Sequence, residues 1–153
     1  MPTTPTASVA LIDLILAELQ AHLPAALITA GLPAVADWTF GDRELVPATR
    51  TPQIQVDLSG YDQPGRFGSD MHRENTIVVI AVIAAADAET LHRRLLGYGD
   101  AICGTLESAL TPRCHVTHVD LSPSFQFGAA SPLFRAVAVE FTIAGQLHTA
   151  GAI

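Results

Sequence analysis

The chain has 153 residues, which is enough for one domain with a substantial core and too short for two comfortable ones. Charged residues make up only 15% and hydrophobic residues 49%, so we expect partner proteins to cover part of the apolar surface. The net charge of -7 argues against a protein that binds duplex nucleic acid, because most affinity for nucleic acid comes from neutralising phosphates.

The eight basic residues are all arginine. Arginine is the commoner basic residue at packed interfaces, but a GC-rich genome gives the same bias, and the sequence leaves both explanations open. The opening MPTTPTAS lacks the basic residues of a signal peptide, and the longest apolar run, Ile77 to Ala86, is about half the length that crosses a bilayer. We therefore expect a soluble protein that is made in the cytosol and has no membrane partner.

The spacing of apolar residues predicts a first helix from about Val9 to Leu23, capped by Ser8 and ended by Pro24. Its polar side is thin, so we expect the helix to be covered on more than one side. Four prolines interrupt residues 24–52 and leave room only for short elements around Trp38. The apolar stripe of the helix consists of Ile12, Ile15, Leu16, Leu19 and Leu23.

Two strands are predicted next. Residues 53–58 alternate, with Ile54, Val56 and Leu58 on one face and polar residues on the other, as in a half-buried strand. Residues 59–74 are rich in Gly and Asp and predict a long loop. Residues 77–84 are apolar on both faces and predict a central strand, covered by helices on one side and by another subunit or layer on the other.

Asp87 is predicted to cap a second helix from Ala88 to about Leu110, which Pro112 stops. Glu89 and Arg93 are spaced for an ion pair on its outer side. Glycines weaken a helix, so those in this one suggest a kink or the close approach of another backbone; they are Gly97, Gly99 and Gly104. The predicted core stripe is Leu91, Leu95, Tyr98, Ile102, Leu106 and Leu110.

Two further strands complete the prediction, one around 115–121 and one at 135–143, joined by a long loop at 122–134. The second strand turns Val137, Val139, Phe141 and Ile143 inward. The order of elements predicts an α+β domain, with a mostly antiparallel sheet of four or slightly more strands and two main helices packed on one face. We expect residues 1–153 to form a single domain, with a flexible lead at 1–7 and a flexible tail at 145–153.

No catalytic or metal-binding constellation emerges from the sequence. The best metal candidates are Cys114, His115 and His118, with Cys103 in reserve, but in a regular strand Cys114 and His118 lie about 13 Å apart and His115 points the other way. We expect Cys103 and Cys114 to be free thiols rather than a disulfide. The glycines of residues 60–68 match neither a Walker loop nor a dinucleotide fingerprint.

Seven segments follow one another in a suggestive order. They are the apolar first helix, PQIQVDL, a Gly/Arg loop, HRENTIVVIAVI, ADAETLHRRLLGYGDAI, VTHVDLSP and LFRAVAVEFTI. In this order and in these loose motifs, from about Val9 to Ile143, the chain resembles the tail-terminator or tail-completion proteins of long-tailed bacteriophages. None of the motifs is catalytic.

The resemblance implies a subunit of a closed ring, typically a hexamer, in the neck of the virion. Such a ring is stacked on the tail tube protein and docked to the head-side connector or stopper, after assembly in the host cytoplasm. Genomic DNA passes through its lumen without sequence-specific binding, and an acidic subunit suits such a channel. The resemblance implies no enzymatic activity and no cofactor.

We place contacts with neighbouring subunits, the tube and the connector in the two predicted loops and on the exposed side of the second helix. The candidate interface residues are Arg66, Phe67, His72, Arg73, Arg93, Arg94, Phe125 and Phe127. One alternative is another neck component, an adaptor or a stopper. A different class of alternative is a small dimeric ligand-binding domain or thiol enzyme, which would use Arg66, His72, Arg73 and Cys103.

Overall fold

The computed structural model describes residues 7–41, 48–67, 70–110 and 114–148, and the side chains of 8–41, 48–62, 74–110 and 114–143. The strands form one five-stranded sheet in the order β1-β2-β3-β5-β4. Strand β1 runs parallel to β2, and the other described pairs are antiparallel. In chain order the elements are α1 (Ala7–Ala30), β1 (Asp37–Phe40), a 3-10 turn (Ala48–Arg50), β2 (Gln53–Phe67), β3 (Asp70–Ala85), α2 (Ala88–Ala109), β4 (Cys114–Leu121) and β5 (Leu133–His148).

This arrangement confirms the predicted α+β class. Both helices lie on the same face of the sheet, and the core forms between them and the inward residues of β2, β3 and β5. All four inward residues expected of the last strand, Val137, Val139, Phe141 and Ile143, are buried. The element that prediction missed as a strand is β1, which contains Trp38 and is held by parallel pairing of Asp37–Phe40 with residues 53–56.

Helix α1 is longer than predicted at both ends. It begins at Ala7, so Ser8 lies inside it, and it continues through Pro24 to Ala30, so the predicted stop at Pro24 is wrong. A proline inside a helix removes one backbone hydrogen bond. The helix persists because its buried stripe continues across the proline from Leu23 to Leu27, which are 0% and 1% exposed.

The end of α1 is set by Gly31 instead. Gly31 has a φ of 70°, which places it in the left-handed region that glycine adopts without strain. The backbone N–H of Leu32 then donates to the carbonyl of Leu27 at 2.9 Å, and the N–H of Gly31 donates to Ile28 at 3.1 Å. These bonds satisfy carbonyls that the last turn of a helix would leave open.

The segment Ser8–Ala30 is also long and apolar enough to cross a membrane by length and composition, with a mean hydropathy of 1.6. Of its most apolar 18-residue window, 33% is buried inside the chain. A core helix passes the same test, and the inward stripe of α1 packs on the sheet as a core helix does. The remaining surface of α1 is mixed, with the polar residues Asp13, Gln20 and His22 beside apolar ones such as Val9 and Ile28.

Helix α2 agrees closely with its prediction. Asp87 is the N-cap, and its carboxylate accepts hydrogen bonds at 2.8 Å from both the backbone N–H and the hydroxyl of Thr90. Arg93 pairs with Glu89 at 3.0 Å. The predicted stripe is buried throughout: Leu91, Leu95, Tyr98, Ile102, Leu106 and Leu110.

The predicted loop at 59–74 is mostly a β-hairpin. Strand β2 continues to Phe67 and β3 begins at Asp70, with register shifts between Leu58 and Gly60 and between Asp62 and Gly65. Strand β5 runs beside β3 to the same end, so that His148 pairs with Asp70. Residues 145–148 of the predicted flexible tail therefore continue a strand, because they have a partner strand about 75 positions earlier in the chain.

Strand β4 contains a second irregularity, between Val116 and His118. Cys114 pairs with Ile143 on the helix side of the sheet, whereas His115 pairs with Thr142 and His118 with Glu140 on the other side. The expectation that Cys114 and His118 share a face is therefore wrong, because one extra residue reverses the alternation of side chains. The two histidines share a face instead.

Candidate interaction surfaces

The face of the sheet opposite the helices, called the outer face here, is apolar at its centre. Outer residues of β3 and β5 lie side by side, with Val82 next to Ala136 and Ile80 next to Ala138. Val82 and the adjoining Gln53 and Gln55 of β2 are buried, whereas the other central residues of this face are half-buried. Its centre consists of Val78, Ile80, Val82, Ala84, Ala136 and Ala138. An antiparallel sheet with one solvated face usually carries polar residues there, so this face has the composition of a packing surface.

Polar side chains border the centre on the β2 side. Gln53 and Gln55 were expected to be exposed, but they are 0% and 4% exposed. Their amides are satisfied internally, because Gln55 donates to Gln53 at 2.8 Å and Gln53 donates to Asp37 on β1 at 3.1 Å. The parallel strand β1, which the sequence did not predict as a strand, supplies this partner.

The opposite border is charged. Asp120 lies beside Ala138, and His118 lies beside Glu140, on strands β4 and β5. Among the described side chains of the outer face there is no arginine, since Arg135 lies on the helix side, where it contacts the ring of His92 at 2.7 Å. The polar rim of the outer face is therefore acidic.

Three aromatic rings extend the outer face at the end of β5. Phe134, which pairs with Ala84, stacks on Phe125 with ring centroids 5.5 Å apart, and Phe127 meets both rings edge-on at 5.3 and 6.0 Å. Backbone hydrogen bonds of 2.9 Å in both directions fix Phe125 to Phe134. Phe127 remains 63% exposed. The loop thus exposes the Phe127 side chain while Phe125 and Phe134 hold its ring in place.

A groove on the other side of the molecule runs between α1 and α2. It encloses about 570 Å³ and is open to solvent. Its walls are formed almost entirely by small residues, with His22 and Asp100 at its polar margin. The lining is His22, Ala25, Ala26, Thr29, Ala30, Asp100, Ala101, Gly104, Thr105 and Ser108. Beside it on α1, Ile28 is 79% exposed.

The structure places the predicted interface residues in three groups. Phe125 and Phe127 come together in the aromatic cluster. Arg93 is exposed and paired with Glu89, and Arg94 is half-buried one position along α2. Backbones of the remaining four lie near the tip of the β2–β3 hairpin, but their side chains lie outside the described set: Arg66, Phe67, His72 and Arg73. The structure does not bring the first two groups together.

The described residues considered for metal binding and for thiol chemistry do not form a reactive site. Among the described residues, no group of three or more His, Cys, Asp or Glu side chains could hold a metal ion. Cys103 and Cys114 are free, as expected. Burial raises the pKa of the Cys103 thiol, helped by Glu107 and Asp100, and burial raises the pKa of Cys114 to about 11. Thiols of raised pKa are poor nucleophiles at neutral pH.

Sequence reasoning missed the α1–α2 groove. A signal existed in the small residues that recur at helical spacing on both helices, such as Ala26 and Ala30 on α1 and Ala101 and Thr105 on α2. These small residues form a groove only because the fold places the two helices side by side, and the sequence does not specify that placement. The outer face was partly foreseen, because residues 77–84 are apolar on both faces, and the outer residues Val78, Ile80 and Ala84 are less completely buried than the inner ones.

No protein-family model matches the chain, and no curated protein matches it in sequence. Among solved structures, the chain is similar to one described as "Virion of native gene transfer agent (GTA) particle". The two chains share 13% sequence identity with a TM-score of 0.36, over 86% of this chain and 92% of that chain. A TM-score this low does not establish a shared fold, so the likeness supports no statement on the function of this chain.

Proposed function

We propose that the chain is a structural virion protein that forms a ring at the head-to-tail junction of a long-tailed bacteriophage, where it caps the tail tube and joins it to the head connector. The observation that carries this proposal is the apolar outer face of β3 and β5, where Val78, Ile80 and Ala138 are only half-buried on the side of the sheet opposite the helices. A subunit made to pack against its neighbours accounts for this face.

The assignment to the neck, rather than to any other assembly, is supported by the resemblance of segment order from about Val9 to Ile143. The acidic net charge of -7 suits a ring whose lumen DNA must traverse without sticking.

The thiol-enzyme alternative has less support. It needs an activated Cys103 thiolate, but burial and the carboxylates of Glu107 and Asp100 raise the pKa of this thiol. His92, the nearest histidine in the chain, instead contacts Arg135 at 2.7 Å. An adaptor or stopper would present the same apolar face, and its position in the neck would distinguish it from a terminator.

Native mass spectrometry and negative-stain microscopy test the proposal, on the chain alone and with a tail tube protein from the same phage. We expect closed rings, typically hexamers, at least when tube protein is present, and we expect the chain in intact particles at the junction between head and tail. Rings that bind the connector but not the tube would indicate an adaptor or stopper. A chain that stays monomeric with tube protein present, and is absent from particles, would refute the proposal.

A further inference from the structure

We propose that neighbouring copies of the chain pack head to tail, with Phe127 of one copy seated in the α1–α2 groove of the next. This inference rests on the proposed ring and names the two surfaces that close it. The protruding surface is the aromatic cluster together with the apolar outer face. The receiving surface is the groove with the exposed apolar side of α1.

The protruding surface is built to bury an aromatic anchor. Phe127 is 63% exposed, yet its ring is held against Phe125 and Phe134 at centroid distances of 6.0 and 5.3 Å. An aromatic side chain that is already oriented loses little conformational entropy on binding. Aromatic residues of this kind are frequent at the energetic centre of interfaces.

The receiving surface has a shape and composition that suit such an anchor. Small side chains such as Ala26, Ala101 and Gly104 leave about 570 Å³ open between the helices, and a Cβ added at Gly104 would meet nothing within 4 Å. Independently of the groove, α1 shows apolar surface beside it, with Ile28 79% exposed.

The positions of the two surfaces point to a second copy as the partner. One lies on the outer face of the sheet and the other on the helices that cover the inner face, so a single chain cannot bring them together. A two-fold dimer uses the same patch on both subunits and would leave one of the two surfaces uncovered. Pairing two outer faces would also oppose acidic rims that contain Asp120 and Glu140 with no described arginine. Head-to-tail packing covers both surfaces and generates a ring when the rotation closes.

Disulfide trapping tests the arrangement in the full chain. In a C103S/C114S background, we compare G128C, A25C and the double variant G128C/A25C after mild oxidation, using ring-forming conditions with tube protein where it is needed. Gly128 is exposed next to Phe127, and a Cβ there would meet nothing within 4 Å, so this position keeps the Phe127 anchor. We expect the double variant to give a ladder of covalent oligomers that ends at the ring's copy number. Each single variant should stay monomeric on denaturing gels, and a mixture of the two should stop at covalent dimers. The matched control G128C/D13C, with a cysteine at the far end of α1, should give no ladder.

A second measurement does not depend on cysteines. Replacing Phe127 with Ala should weaken subunit association by about thirtyfold or more, as truncation of an interface anchor does. It should lower the thermal stability of the dissociated chain only slightly, through the lost ring contacts with Phe125 and Phe134. The neighbouring exposed residue provides the control, since Ser124→Ala should leave association unchanged.

The outcomes separate the inference from the proposed function. Rings that form normally with F127A, or that give no ladder with G128C/A25C, would overturn the inference and leave the ring function standing. A covalent dimer from G128C alone or from A25C alone would show a symmetric contact and also overturn it. A chain that forms no ring under any condition would overturn both.

Discussion

The hydroxyl of Tyr98, in the middle of α2, donates a hydrogen bond to the carbonyl oxygen of Pro33, in the segment that follows α1. The Tyr98 side chain is fully buried, and its burial raises the pKa of the phenol to about 12, against a smaller opposing effect of Arg94. This bond links α2 to the segment that follows α1, and the phenol of Tyr98 must stay protonated to donate it.

Tyr98 therefore makes stability sensitive to high pH. Because its pKa is higher in the folded chain than the ordinary value of 10.0, its contribution is fully present below pH 10 and is lost as pH rises towards about 12. We expect the free energy of unfolding, measured with urea, to fall across this range. Tyr98→Phe should cost about 1 kcal/mol at pH 7, from the lost hydrogen bond, and should fall less steeply at high pH. Parallel curves for the two proteins would contradict this prediction.

The N-cap residue of α2, Asp87, should make the stability of the chain depend on pH in the acid range. Hydrogen bonds, first from the backbone N–H of Thr90 and then from its hydroxyl, lower the pKa of Asp87 below 3.8. The stabilisation is therefore present above pH 3.8 and is lost as pH falls further. We expect Asp87→Ala to lower the Tm at pH 7 and the difference from the parent to shrink below pH 3.8. Glu89→Ala, which removes only an exposed ion pair with Arg93, should change Tm little and without this pH dependence.

Two glycines of α2 should respond differently to the same substitution. A Cβ at Gly104 would meet nothing within 4 Å, whereas a Cβ at Gly99 would lie 3.3 Å from Val137 Cγ2. We expect Gly104→Ala to raise the free energy of unfolding by about 0.5–1 kcal/mol through helix propensity, and Gly99→Ala to gain less or to lose stability. Urea denaturation at one low protein concentration would measure both. Equal gains would mean that Gly99 is not needed for the approach of α2 to β5.

Neighbouring isoleucines on β3 should separate folding from assembly. Ile77 faces the core and is 0% exposed, while Ile80 lies half-buried on the outer face. We expect Ile77→Ala to lower the free energy of unfolding by about 2–5 kcal/mol, as for other buried isoleucines. Ile80→Ala should cost the isolated chain clearly less, and should act mainly on association. Chemical denaturation together with sedimentation velocity would check both, and a reversed order would be inconsistent with this orientation of β3.

The two thiols should be slow to alkylate. Because burial raises the pKa of both, iodoacetamide at pH 8 should react with the native chain far more slowly than with the urea-unfolded chain. Cys114, with a pKa of about 11 and only 8% exposure, should react more slowly than Cys103. Single variants C103S and C114S, followed by mass spectrometry, would assign each rate. Rapid labelling of native Cys103 would revive the thiol-enzyme alternative.

The sequence determined those features whose cause is local. The buried stripe of α2 and its Asp87 cap could be predicted from neighbouring residues, because helical periodicity and N-terminal capping act within a few positions. The inward side of β5 and the doubly apolar strand at 77–84 followed in the same way from alternation. These elements were sufficient to predict the α+β class with two helices on one face.

Tertiary structure decided the rest, because its causes are distant in the chain. Helix α1 continues beyond Pro24 because Leu27 is buried in the core. Residues 59–67 form a strand because they pair with β3, which in turn pairs with residues 142–148 of β5. One extra residue in β4 moves His118 to the outer face, which no alternating pattern indicates. The groove and the aromatic cluster exist only once two helices and two loop phenylalanines are placed in space, so the candidate surfaces depend on contacts that the order of residues does not specify locally.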